Sequence, residues 1–124
     1  MKFYVCKHCG NIITFIKESG VPVVCCGEKM QELVPNTTDA AMEKHVPVIH
    51  VSDREVTVNV GSMAHPMLAE HYIQWIVLET EQGYLCKKRH AGDLPEAIFV
   101  ISAHDTPVAA YAYCNLHGLW KAEV

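Results

Sequence analysis

Histidines and one cysteine in the second part of the chain have the residue types and spacing of a metal site. Cys114 and His117 are separated by two residues within residues 114–118, and Gly118 ends this run. A turn of this length lets a thiolate and an imidazole reach one ion. His45 follows Glu43-Lys44, and His65 and His71 begin and end one short motif. A single histidine is weak evidence, but these contexts together suit a site with five ligands and one open position.

Four further cysteines near the start of the chain predict a second, independent metal site. They form a pair separated by two residues and a vicinal pair, namely Cys6, Cys9, Cys25 and Cys26. Adjacent cysteines rarely form a disulfide because the ring would be strained, so four thiolates around one tetrahedral ion are expected. The spacing alone suits zinc in a structural ribbon as well as iron. His8 is expected to be exposed because four thiolates already complete the coordination shell.

The cysteine distribution divides the chain into two domains. Residues 1–35 hold four of the six cysteines, whereas residues 36–124 carry most of the β-branched and aromatic residues. A module of about 35 residues is too small to fold on an apolar core alone. The bound metal is therefore expected to hold the first domain together.

Short apolar runs separated by turn residues predict an all-β fold. In the second domain, apolar and polar residues alternate over 56–60, and further strands are expected at 72–79, 83–87, 96–101 and 108–114. This pattern is typical of a β-sandwich. Residues 36–44 lack alternation and predict a loop with one helical turn, capped by Thr38 or Asp39. Cys86 is expected to be a small buried residue of its strand.

The composition excludes several classes of partner. The formal net charge is −4 and the pI is near 6.0, without the basic stripe that nucleic-acid binding requires. No run approaches the roughly 18 apolar residues of a membrane span, and no apolar leader precedes Cys6. We therefore expect a cytoplasmic protein, in which reduced thiols favour metal over disulfides.

With these motifs in this order, the chain resembles the desulfoferrodoxin family, the two-iron superoxide reductases, over essentially its whole length. The resemblance implies a desulforedoxin-like module followed by an immunoglobulin-like β-sandwich. It also implies two irons per chain. One iron would be bound by four cysteine sulfurs. The other would have four equatorial imidazoles and an axial thiolate, from His45, His65, His71, His117 and Cys114.

The resemblance further implies an enzyme that reduces superoxide to hydrogen peroxide with one external electron and two protons. Ferrous iron with one thiolate and four neutral imidazoles carries a net charge of about +1, which would attract an anion to the open position. Lys44 would steer superoxide and stabilise bound peroxide, and Glu43 would occupy the sixth position of the oxidised iron. A rubredoxin-like electron donor and a homodimer are also implied.

Two other functions fit the residues. One is a non-catalytic iron or zinc protein for electron transfer or metal binding. The other is a cupin-like oxygenase, which Cys114 disfavours because such sites use two histidines and a carboxylate. The basic run 87–90 is either a solvated turn or a docking patch for an acidic donor. His50, His90 and His104 lie outside the motifs and are given no metal role.

Overall fold

The computed structural model describes all 124 residues and divides them into two compact units. The first unit is Met1–Val34 and the second is Pro35–Val124. The division falls one residue before the boundary expected from the cysteine distribution.

The first unit is built from short strands with little apolar interior. Its strands are β1 (Phe3–Val5), β2 (Ile12–Thr14), β3 (Val24–Cys25), β4 (Glu28–Lys29) and β5 (Gln31–Leu33). β1 lies between β2 and β5 in an antiparallel sheet, and β3 and β4 form a separate hairpin. The buried apolar residues of this unit are Phe3, Cys6 and Met30, whereas Ile16 is 95% exposed. So small a core cannot offset the chain entropy of the unit by itself.

The second unit is an antiparallel β-sandwich, which confirms the all-β prediction. One short helix, α1 (Met42–His45), precedes strands β6 (Pro47–Ser52), β7 (Glu55–Val60), β8 (Ile73–Thr80), β9 (Gly83–Lys88), β10 (Glu96–Val100), β11 (Pro107–Cys114) and β12 (Gly118–Glu123). The sheets have the orders β10-β7-β6 and β12-β11-β8-β9. Seven strands in sheets of three and four are typical of an immunoglobulin-like sandwich.

Alternating side chains from both sheets form one core. Val56, Val58 and Val60 of β7 are at most 1% exposed, and they pack in one cluster with Ile76 of β8 and Phe99 of β10. The period-two alternation of a strand places every second residue on the inner face. Cys114, at the end of β11, belongs to the same cluster. The sandwich core therefore extends to the end of β11 that carries the cysteine of the predicted metal site.

Several local expectations were wrong or incomplete. The helical turn begins at Met42, and its N-cap residue, Ala41, makes no side-chain capping bond; Thr38 and Asp39 are therefore not its caps. Strands β6 and β12 were not foreseen. Cys86 is exposed because its neighbour Leu85 packs against the core, which turns the next side chain of the strand outward. The one helix, of four residues, is far too short to cross a membrane.

Candidate metal centres

The first unit brings its four cysteines into one cluster. The sulfur atoms of Cys6, Cys9, Cys25 and Cys26 all lie within 4.8 Å of one another, and none of these residues forms a disulfide. Gly10 and Gly27 have φ angles of 82° and 76°, which is the left-handed conformation that a tight knuckle requires after each cysteine pair. The geometry is that of four donors converging on one tetrahedral ion.

Hydrogen bonding makes the four thiols chemically unequal. The backbone N–H of Cys9 is the main cause that lowers the pKa of Cys6 to about 6. The neighbouring sulfurs, led by Cys6, raise the pKa of Cys26 to about 12. The Cys6 thiolate therefore forms readily, whereas Cys25 and Cys26 retain their protons, and a cation that binds must displace those protons. His8 is exposed, as expected, and pairs with Glu28 at 2.8 Å.

Four imidazoles form a square in the second unit. The ring centroids of consecutive histidines around the square, in the order His45, His65, His71 and His117, are 4.6, 4.8, 5.1 and 4.8 Å apart. Consecutive rings are nearly perpendicular, and the His45–His71 diagonal is 6.3 Å. Donor atoms of His45, His65, His71 and Cys114 lie within 4.8 Å of one another. His117 joins them through Nδ1, which is 3.0 Å from His45 Nε2 and 3.8 Å from Cys114 Sγ.

Each donor lies at or near the end of a structural element. His45 ends α1, His65 lies in the loop after β7, and one residue separates His71 from β8. Cys114 ends β11 and His117 lies in the turn to β12. The sandwich thus gathers residues that are up to 72 positions apart in the chain.

Backbone carbonyls fix the tautomers of two histidines. His45 Nδ1 donates to the Ala41 carbonyl at 2.7 Å, and His65 Nδ1 donates to the Pro66 carbonyl at 2.6 Å. Each neutral ring therefore keeps its lone pair on Nε2, yet the two Nε2 atoms face each other at 3.1 Å. Two lone pairs at this distance repel unless a cation lies between them. The spacing also fits two nitrogen ligands at right angles, each about 2.1 Å from an ion.

His71 supplies a second indication of a bound ion. Its Nε2 is buried and has no hydrogen-bond partner, which is costly for a polar atom. Burial lowers the pKa of His71 and of His45, and lowers that of His65 to about 4. The rings are therefore neutral near pH 7, which is the form that binds a metal.

Cys114 is the fifth donor and lies in the apolar core. Its side chain is 0% exposed, and burial raises its thiol pKa. The backbone N–H groups of Leu116 and His117 donate to the sulfur and partly offset that effect. A thiolate at this position needs a nearby positive charge, which a bound cation would supply. Five donors around one ion would leave room for a sixth ligand that the protein does not supply.

Glu43 and Lys44 lie on the same helix as His45. Lys44 is half-buried and Glu43 is exposed. Burial is the main cause of the lowered histidine pKa values, but Lys44 lowers the pKa of His71 further, and Glu43 opposes the shift at His45. Both charges therefore act on the histidine square.

A tight turn at Gly61 supports this helix, and the sequence alone did not reveal it. The N–H of Met63 donates to the Glu43 carbonyl at 2.9 Å, and the N–H of Gly61 donates to that of Val46 at 3.2 Å. Gly61 has a φ of 83°, and a Cβ there would lie 2.3 Å from the Met63 carbonyl oxygen and 2.7 Å from that of Glu43. Only glycine fits this position.

Trp120 is a further residue of the site that sequence reasoning missed. Its ring packs on His45 with centroids 4.9 Å apart, and its indole N–H donates to the His117 carbonyl at 3.1 Å. The only sequence signal is an aromatic residue three positions after His117. Trp120 therefore packs against one of the four imidazoles and holds the backbone of the residue that carries another.

The basic run at residues 87–90 does not form a free patch. Lys87 Nζ donates to the Ile98 carbonyl, and Arg89 Nη1 donates to the Glu96 carbonyl at 3.3 Å. Both acceptors belong to β10, at the edge of the opposite sheet. His90 lies beside Asp93 at 3.5 Å. Two of the four basic residues are thus engaged by the neighbouring strand.

Comparison with known proteins assigns the chain to one family. The family model described as desulfoferrodoxin matches residues 37–123. The chain belongs to the desulfoferrodoxin family. It is 48% identical to a desulfoferrodoxin of Nitratidesulfovibrio vulgaris over 122 residues, covering 98% of this chain and 95% of that protein. It is 37% identical to a superoxide reductase of Pyrococcus abyssi over 99 residues, covering 66% of this chain and 86% of that one.

Solved structures agree with this assignment. The superoxide reductase from Treponema pallidum matches with a TM-score of 0.82 and 38% identity, over 97% of this chain and 98% of that chain. A superoxide reductase from Giardia intestinalis, whose description gives one iron, matches with a TM-score of 0.56 and 32% identity, over 66% of this chain and 97% of that one. The two donor clusters of the present chain match the two-iron complement of the desulfoferrodoxin family.

Proposed function

We propose that this protein is a superoxide reductase and that its second unit carries the reaction. The observation that supports this most directly is the square of four imidazoles beside a buried cysteine sulfur. A structural metal site is usually closed by its protein ligands, whereas a catalytic site keeps a position for substrate. The five donors leave such a position.

The ligands follow from the geometry of the two clusters. His45, His65, His71, His117 and Cys114 would hold the catalytic iron, and Cys6, Cys9, Cys25 and Cys26 would hold the other iron. When bound at the second cluster, iron supplies the one-electron reduction of superoxide. The overall reaction joins one superoxide, one electron and two protons into hydrogen peroxide. The neutral imidazoles leave the reduced centre with a net positive charge of about one, which favours an anionic substrate.

Lys44 and Glu43 act at the substrate side of this centre. Lys44 is half-buried, which reduces the screening of its charge by solvent, and its field reaches His71. It would draw superoxide toward the open position and offer hydrogen-bond donors to the peroxide product. The Glu43 carboxylate would be the residue available to fill the open position when the centre is oxidised.

The electron donor, the assembly and the location remain predictions. A small acidic rubredoxin-like donor is expected, but Lys87 and Arg89 are already engaged by β10, so the run 87–90 offers fewer free charges for docking than its sequence suggests. A homodimer and a cytoplasmic location are likewise expected from the resemblance and from the reduced thiols.

Metal analysis and rapid kinetics test the proposed function. Two irons per chain, and bleaching of the ferrous second site by superoxide with one peroxide formed per electron, are expected. Cys114→Ser should abolish the reaction because it removes the only anionic protein donor of that site. Cys86→Ser is the matched control, because Cys86 is exposed on β9 and lies outside both clusters.

A zinc-loaded, colourless protein that does not react with superoxide would instead support the alternative, a non-catalytic metal-binding or electron-transfer protein. Normal turnover by an iron-loaded Cys114→Ser protein would show that Cys114 is not a required ligand of the catalytic iron.

A further inference from the structure

The side chain of Asn115 joins the two segments that carry three of the metal donors. Its Oδ1 accepts a hydrogen bond from the N–H of Tyr72 at 2.9 Å, and its Nδ2 donates to the Glu70 carbonyl at 3.0 Å. The N–H of Asn115 also donates to the Tyr72 carbonyl at 3.3 Å. These contacts bracket His71 on both sides.

The two partners fix the orientation of the amide. A backbone N–H can only donate and a carbonyl can only accept, so the oxygen of Asn115 must face Tyr72 and its nitrogen must face Glu70. An aspartate would lose the second bond and would place two acceptors opposite each other. Asparagine is the short side chain that satisfies both segments at once.

Asn115 lies between Cys114 and His117 in the chain, so this clamp ties the turn that carries the thiolate to the segment that carries His71. The register between β11 and β8 shifts between Tyr113 and Cys114, and regular ladder bonds therefore do not set the spacing there. His71 Nε2 has no hydrogen-bond partner, so the position of this ring depends on the backbone that carries it, which the clamp and the paired bonds between Leu68 and His71 hold.

We propose that Asn115 is a positioning residue that holds His71 at its corner of the imidazole square. By restraining His71 relative to Cys114 and His117 before a metal binds, the clamp lowers the cost of assembling the site. Supporting hydrogen bonds of this kind typically change metal affinity by about 10- to 100-fold. The inference rests on the proposed metal centre but not on superoxide as the substrate.

Asn36 provides a matched control elsewhere in the same unit. Its Oδ1 accepts from the N–H of Lys121 at 2.8 Å, and its Nδ2 donates to the Lys121 carbonyl at 3.1 Å. Asn36→Asp therefore makes the same chemical change as Asn115→Asp, in a clamp that touches no metal donor. Asn115→Ala removes both side-chain bonds without adding a charge.

The test measures release of iron from the ⁵⁷Fe-loaded protein to an excess of chelator, without superoxide. Mössbauer spectra of samples quenched at intervals distinguish the imidazole–thiolate iron from the four-thiolate iron. Asn115→Asp and Asn115→Ala should each speed release from the second site by about 10-fold or more. Asn36→Asp and the four-thiolate site within each variant should stay within about twofold of the original protein.

Four outcomes would overturn the proposal. Unchanged iron release in both Asn115 variants would show that Asn115 has no role, and faster release in Asn115→Asp alone would indicate a charge effect. Equally faster release in Asn36→Asp would indicate general destabilisation. Failure of both Asn115 variants to fold would show that the clamp is purely structural. Slower superoxide reduction with normal iron retention would also contradict it. A protein that retains iron but never reacts with superoxide would instead refute the proposed function.

Discussion

The two units of this chain solve the same problem, holding an ion among reactive side chains, by opposite means. In Met1–Val34 the donors are themselves much of the interior, since Cys6 is one of the three buried apolar residues. In Pro35–Val124 the donors stand at the edge of a sandwich core that includes Val56, Ile76 and Phe99. The first unit therefore needs its ion to fold, whereas the second can fold and then bind.

This difference explains why one site is closed and the other is open. Four thiolates around one ion satisfy a tetrahedral shell and leave no position for substrate. The second unit does not depend on its ion for cohesion, so it can hold five donors rigidly and leave one position vacant. Preorganisation of this kind is what a catalytic metal site requires.

Removal of both metals should produce the largest difference in stability between the two units. With chelator and reductant, the strands of the first unit should lose amide protection because about 10 kcal/mol of metal-binding free energy is withdrawn. The core strands β7, β8 and β11 should remain protected. Hydrogen–deuterium exchange followed by mass spectrometry measures both units in one sample. Persistent protection of β1 and β2 in the metal-free protein would contradict the comparison.

Cys9→Ser should confine the damage to the first unit. Cys9 Sγ lies 3.6 Å from Cys25 Sγ, so the substitution breaks the four-thiolate cluster while leaving every donor of the second cluster in place. Iron content should fall to about one per chain, and the rate of superoxide reduction by the pre-reduced protein should not change. Cys86→Ser, with two irons, is the control. Loss of both irons while the sandwich remains folded would show that the sites are coupled.

Gly61→Ala should destabilise the second unit at the point where α1 rests on it. The new Cβ would meet backbone atoms that cannot move aside, and the cost should be about 3 kcal/mol or more in the free energy of unfolding. Gly92→Ala is a matched control, since Gly92 has a φ of 90° with no atom within 4 Å of the added Cβ. It should cost about 1–2 kcal/mol.

Denaturant titration of both glycine variants measures the difference, and the reaction rate with superoxide shows whether Glu43 and Lys44 have moved. Equal stabilities for the two variants would mean that the close approach at Gly61 relaxes at little cost.

Lys44→Ala should produce the smallest effect of these substitutions. It should change only the rate of the reaction with superoxide. If the ammonium steers superoxide, the bimolecular rate should fall by about tenfold at low salt, and its dependence on ionic strength should flatten. Iron should stay bound because Lys44 is not a donor. Lys17→Ala removes an equal charge from an exposed position in the first unit and should leave the rate unchanged. A stopped-flow salt series that shows the same rate and slope for Lys44→Ala as for the original protein would remove its proposed role.

Sequence motifs predicted much of this architecture because their chemistry is local. The spacing of Cys6 and Cys9, or of Cys114 and His117, places two donors on one turn, and the structure brings these pairs into separate clusters. The all-β fold and its core alternation over residues 56–60 were also readable from the period of apolar residues. These features depend on neighbours within a few positions.

What could not be predicted depends on contacts between distant segments. The approach of Gly61 to the carbonyl of Glu43 and the clamp of Asn115 on Tyr72 involve backbone atoms that carry no sequence signal. Strand β12 was missed because it overlaps the metal motif and contains glycine and charged residues. The outward direction of Cys86 follows from the burial of Leu85, which only the register of β8 and β9 decides.

The bonds that Lys87 and Arg89 make to β10 bear on how copies of this protein can associate. An unpaired strand edge is a template on which another chain can add a strand. At β10 the carbonyls of Ile98 and Glu96 already accept from these two cations, and at β12 Asn36 already bonds to Leu119 and Lys121. A second chain would have to break these bonds before it could pair there, so the sandwich resists strand-to-strand aggregation at one edge of each sheet.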